Sequence, residues 1–160
     1  MLCVDLITQL SQEHQDYVIN LSVLAEVIEG IRVNGRGDYF IATLDHLLES
    51  LTIDLDDHAR REEDFLFPKL LERAPDGPIS VMLEEHQVIR ALSAQFGRWY
   101  PVWRDGVEEA FGDWLEPAET LRGKFSAHMQ KENLILFPLA RRILTVGEVR
   151  QLTMIPDDER

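Results

Sequence analysis

The chain has 160 residues, 45% of them hydrophobic and 28% charged, enough for one globular domain with its own core. Asp and Glu number 29 against 16 Lys and Arg, a net charge of -13 that argues against nucleic acid or an anionic membrane surface as partner. One cysteine (Cys3) excludes an internal disulfide framework and a thiolate metal cluster, no apolar run reaches the ~18–20 residues that span a bilayer, and Met1–Asp5 has no signal-peptide character, so a cytoplasmic location is expected.

Glycine and proline divide the chain. Residues 30–38 (GIRVNGRGD) form a polar turn, 74–78 (APDGP) a hard stop, and 99–106 a third break where Pro101 and Gly106 flank aromatic residues. Between the breaks apolar residues recur every three or four positions, predicting helices over about 3–29, 38–73, 79–98 and 107–144. A short helix near 146–153 and the acidic tail 156–160 follow. The expected fold is all-α, an up-down-up-down four-helix bundle over 1–145 with the short helix and tail as 146–160. Pro68, Pro117 and Pro138 fall inside predicted helices, where each removes a hydrogen bond and should kink or end the helix.

The second half, about 79–144, echoes the first, about 5–73. Glu13-His14-Gln15 returns as Glu85-His86-Gln87, and His58-x3-Glu62-x3-Leu66-Phe67-Pro68 returns as His128-x3-Glu132-x3-Leu136-Phe137-Pro138. Phe-Pro occurs only at these two places, so chance is a poor explanation. Four of the five histidines lie in the repeat, one per helix and each on its apolar stripe: His14 beside Leu10 and Tyr17, His58 beside Leu55, His86 beside Met82 and Ile89, His128 beside Phe125. Residues four apart share a helix face, so each His-x3-Glu turns an imidazole and a carboxylate inward. Counted from the loop at 74–78, His14, Glu62, His86 and Glu132 lie at depths agreeing to within ~6 Å at roughly 1.5 Å per residue. Buried carboxylates need cations or partners. His14, His58, Glu62, His86, His128 and Glu132 therefore read as one metal-binding layer.

Four imidazoles and two carboxylates are too many ligands for one tetrahedral zinc and suit two divalent ions. Nitrogen and oxygen donors without thiolate fit iron best, with manganese the alternative and zinc a common contaminant. No Glu-x-x-His occurs, against the ferritin-like pattern, and no His-Glu-x-x-His, against a zinc protease.

At these residues, over roughly 5–145, the chain resembles the hemerythrin-like proteins with a His–His–Glu cation-binding domain. The resemblance implies a four-helix bundle with a non-haem di-iron centre, His14 and His58 serving one iron, His86 and His128 the other, and Glu62 and Glu132 bridging. Oxygen-carrying members have a fifth histidine one turn after the third-helix histidine. Here that place is Arg90, and His46 lies about 120° around its helix from His58. Two histidines per metal would leave positions for O2, NO or peroxide, which favours sensing or oxidative and nitrosative stress response over simple oxygen carriage.

Several residues near these motifs have plainer expected roles. Glu63 and Glu85 read as surface neighbours of the ligands, and Tyr17 as packing below His14. Arg90 reads as an anion-steering group, a counter-charge for carboxylates such as Glu62, or a surface ion pair. The two Phe-Pro pairs would cap the cavity, Trp99, Tyr100 and Trp103 would plug the far bundle end, and Arg36-Gly37-Asp38 is a turn. Three functions are carried: a di-iron module that binds O2, NO or peroxide to report it, an enzyme that scavenges peroxide or NO, and an iron storage or delivery protein. Whether the chain is an enzyme stays open at this point. A homodimer, or a separate redox or output partner, is the expected company.

Overall fold

The computed structural model describes residues 4–152, so Cys3 and the tail 156–160 lie outside the described residues. The described elements are helical: α1 (Leu6–Asn34), α2 (38–73), α3 (Ile79–Arg104), α4 (111–143) and α5 (Val146–Gln151), with a 3-10 turn at Glu108–Ala110. Helices α1 and α3 each pack against both α2 and α4, and the short connections make successive helices antiparallel.

Two expected breaks move. α1 continues through Gly30, where the ring of Phe40 fills the space a Cβ would take, its Cζ only 2.5 Å from that point, so the glycine serves close packing rather than a turn. The helix ends at Gly35, whose φ of 74° only glycine adopts freely and whose N–H reaches the Ile31 carbonyl. α3 runs through the expected break at 99–106 as far as Arg104. Phe96, Tyr100 and Trp103 extend its buried row, and that burial outweighs the one hydrogen bond Pro101 cannot make. α4 starts at Phe111 rather than 107, and buried Pro117 sits inside it without breaking it.

Neither Pro68 nor Pro138 ends its helix. Each follows a π-helical turn, Glu62–Leu66 or Glu132–Leu136, closed by Phe67 N–H to the Glu62 carbonyl and by Phe137 N–H to the Glu132 carbonyl. The shift to a wider turn falls where the next residue has no N–H to give, so the proline defect and the register change coincide. A third such turn, Ser50–Asp54, lies earlier in α2.

The core is two apolar clusters. The larger holds Leu24, Leu47, Phe96, Tyr100, Trp103 and Trp114, with half-buried Trp99 against it, and so forms the aromatic plug. The smaller holds Leu10, Leu66, Phe67, Met82, Phe137 and, from α5, Val149. Arg36 gives the glycine-rich turn a further part: it donates to the Trp103 and Arg104 carbonyls and lies 4.4 Å over the Trp103 ring, closing the end of α3.

Candidate metal centre

Between the two clusters lies a buried polar layer made of His14 from α1, His58 and Glu62 from α2, His86 from α3, and His128 and Glu132 from α4. The fold thus brings together all six residues expected from the repeat. Both carboxylates are fully buried, at 0% exposure. They fall into two groups, His14, His58, Glu62 and Glu132, and Glu62, His86, His128 and Glu132, with the facing atoms of each group within 4.8 Å of one another.

The contacts inside the layer are short. His14 Nε2 is 3.2 Å from His58 Nε2, and His86 Nε2 is 3.1 Å from His128 Nε2. Glu62 reaches His58 through Oε1 at 2.9 Å and His86 through Oε2 at 3.1 Å. Glu132 Oε1 is 3.1 Å from His128 and 3.2 Å from His14. Each carboxylate therefore spans both histidine pairs. Both begin π-turns. Phe67 stacks on His86 and Phe137 on His14, so the Phe-Pro pairs wall the layer on the side of the smaller cluster.

Each outward Nδ1 also has a partner on a neighbouring helix. His58 Nδ1 faces Glu13 Oε1 at 3.1 Å, His86 Nδ1 faces Glu63 Oε1 at 2.6 Å, His128 Nδ1 faces Glu85 Oε2 at 2.8 Å, and His14 Nδ1 faces Asn133 Oδ1 at 2.8 Å. A carboxylate on Nδ1 fixes the proton there and aims an Nε2 lone pair inward, the arrangement metal-binding imidazoles use. Glu63 and Glu85 are partly exposed neighbours of the ligands rather than ligands, and each has a further part that the spacing does not show: it crosses to the next helix and orients a histidine. Glu13 and Asn133 hold histidines as well, a part the sequence reading assigns to neither. The signal for Glu13 lay in the Glu13-His14 and Glu85-His86 recurrence itself.

Cations hold three of these partners. Arg61 bonds Glu13 and Asp57, Arg90 bonds Glu63 and Asp56, and Lys131 bonds Glu85. Arg90 thus neutralises outer carboxylates, Glu63 and Asp56 rather than Glu62. Burial pushes Glu13 up, but His58 and Arg61 outweigh it and take the carboxyl down to about 2. Burial opposes charge on His58, and Glu62 and Glu13 overcome it, lifting the imidazole to about 10. His128 rises to about 9 against the same opposition, through Glu132 and Glu62. Glu62 is held well below the usual carboxylate range despite its burial, by His58 and His86.

The residues fit two metal ions. All four carboxylate oxygens of Glu62 and Glu132 are buried without an aligned hydrogen-bond donor, although imidazole nitrogens lie close by. His86 Nε2 and His128 Nε2, 3.1 Å apart, must share either a proton or a cation, and a metal ion that displaces the proton satisfies both nitrogens. Four imidazole nitrogens and two carboxylates, with no sulfur, suit iron or manganese.

A cavity of about 10 Å³ adjoins the layer, lined by Leu55, Ile89 and Phe125 with His58, His86 and His128, room for roughly one water-sized molecule. A larger hollow of about 380 Å³ opens outside Glu13, between α1 and α2, with Asp16, Asp54 and Asp57 around it. Exposed His46 lines this hollow, away from the buried layer. Tyr17 lines it too, while its ring packs edge-on against His58 and Phe125.

Residues 5–140 match the family described as the hemerythrin HHE cation binding domain. The chain belongs to this family. It is also 31% identical over 157 residues to an iron-sulfur cluster repair protein, YtfE, of Edwardsiella ictaluri (strain 93-146), a match covering 87% of this chain and 64% of that protein. This hemerythrin-family chain matches no solved structure significantly. Among the described residues, no helix is long and apolar enough to cross a membrane.

Proposed function

We propose that this chain is a two-iron protein that responds to O2, NO or peroxide in oxidative or nitrosative stress. His14 and His58 would hold one iron and His86 and His128 the other, with Glu62 and Glu132 shared by the two positions. The observation that carries the reading is the pairing of four inward Nε2 atoms with four outward Nδ1 bonds, around two carboxylates that have no aligned donor. Bound iron supplies redox-active positions able to take a small ligand. The protein's own part is to hold His58, His86 and His128 in one tautomer through their carboxylate partners, keep Glu62 ionised, and exclude bulk water by the Phe67 and Phe137 rings. The small cavity beside His58, His86 and His128, with room for about one water-sized molecule, favours a small ligand. A second reading, iron handling for the repair of iron–sulfur centres, is favoured by the likeness to the repair protein named above.

The deciding experiment is anaerobic loading with Fe(II), counting of bound iron, and then admission of O2 or NO with the near-ultraviolet and visible spectrum recorded. Two irons per chain and a new absorption band on exposure support the proposal. No iron uptake, or one iron with no response to either gas, would overturn it. A folded apo iron–sulfur protein added to loaded chain tests the second reading, with iron transfer expected only if that reading holds.

A further inference from the structure

The two halves of the repeat agree at every buried position of the layer and differ just outside it. In the first half Glu62 is followed by Glu63, which holds His86 and is held in turn by Arg90. In the second half Glu132 is followed by Asn133, and the place corresponding to Arg90, one turn after His14, is exposed Val18. Carboxylate and counter-cation are thus both missing at His14. His86 and His128 are each backed by an ionised carboxylate, Glu63 and Glu85, and so is His58, by Glu13. His14 alone is backed by a neutral amide.

We propose, on the footing of the two-metal reading above, that the two metal positions are unequal and that Asn133 makes the His14/His58 position the weaker. A carboxylate on Nδ1 withdraws positive charge from the imidazole and makes Nε2 a stronger donor, and losing such a partner typically costs about 10- to 100-fold in metal affinity. An amide oxygen does this less. An amide can also present its NH2 instead of its oxygen, so Asn133 does not force the His14 proton onto Nδ1 as Glu63 forces that of His86. His14 is therefore the least firmly oriented of the four. Asn133 acts through His14 and is a positioning residue.

The test is anaerobic titration of the full chain with 57Fe(II) against a competing chelator, with Mössbauer spectra at one and two equivalents. Repulsion between two bound cations weakens the second step in any such centre, so the variants decide. Asn133 is exposed, so Asn133→Asp puts the new carboxylate at the surface. That variant is expected to tighten the second step by about 10-fold or more and leave the first unchanged. Its two quadrupole doublets should converge, where wild type gives two distinct ones. Glu85→Gln should instead loosen the first step. A second step unmoved in Asn133→Asp, with the thermal melt showing a folded chain, would overturn the asymmetry while leaving the two-metal reading intact. Failure of wild type to bind any Fe(II) would overturn both.

Discussion

The ring of Phe137 lies nearly flat on the imidazole of His14, with centroids 5.3 Å apart and planes inclined by 25°. Phe67 stands in the same relation to His86, at 5.6 Å and 22°. Each aromatic ring comes from the residue that closes a π-turn, and each holds a histidine of another helix. Phe67→Ala should therefore act twice. It removes a fully buried ring, about 3–5 kcal/mol for a well-packed site, and it frees His86 to rotate. The expected result is a thermal midpoint about 6–20 °C lower, at roughly 2–4 °C per kcal/mol, with weakened iron binding. Phe67→Leu should recover most of the stability and less of the binding. A melt unchanged in Phe67→Ala would show that the ring bears no packing load.

Replacing a histidine of the layer tests the metal assignment directly. His58→Ala removes an imidazole that lies 2.9 Å from Glu62 and 3.2 Å from His14. The variant should lose at least one metal ion per chain and be less stable, because Glu62 stays buried with fewer partners. Chelation of wild type should lower its melting temperature for a related reason, since ligands at 1,000 times Kd stabilise by about 4 kcal/mol. Retention of two ions by His58→Ala with an unchanged melt would remove His58 from the centre.

The metal-free protein should depend on pH in a definite direction. His58 and His128, at about 10 and about 9, lie above the ordinary 6.5. Their stabilising contribution is present in full below about 6.5 and disappears as pH rises through 9 to 10. Glu13, at about 2, contributes above its ordinary value of 4.5 and loses that contribution as pH falls toward 2. Chelator-stripped protein should therefore melt lower at pH 10 than at pH 6, and metal loading near neutral pH should release protons. Equal melting temperatures for stripped protein at the two values would contradict the charge pattern.

Arg90 borders the small cavity and reaches both Asp56 and Glu63. Arg90→His places an imidazole one turn beyond His86, where oxygen-carrying hemerythrins have a fifth histidine. The visible spectrum of the loaded protein should change, and Glu63, deprived of its guanidinium, should hold His86 less firmly. An unaltered spectrum would mean that the new side chain stays on the surface carboxylates.

The local chemistry of this chain is legible in its residues. The spacing of four between His58 and Glu62, and between His128 and Glu132, is a property of one helix. One helix's geometry is enough to turn both side chains to one face. The repeat adds that the two halves present equivalent groups, and their depths place the groups in one layer. The bundle and its inward donors follow from periodicity and the repeat, whereas the family follows from the likeness of the repeated motif.

Tertiary structure decided the rest. Glu13 holds His58 on the next helix, Glu63 holds His86, Glu85 holds His128, and Asn133 reaches from the last helix back to His14. Glu85 and Glu63 read as surface residues because they sit just off the apolar stripes; only the rotation and approach of adjacent helices turn that flank toward a neighbour's imidazole. The course of α3 through Pro101 was likewise a matter of packing, since the buried Tyr100 and Trp103 outweigh a single lost hydrogen bond. Periodicity within a helix is set by its backbone, whereas contacts between helices depend on how their side chains interlock.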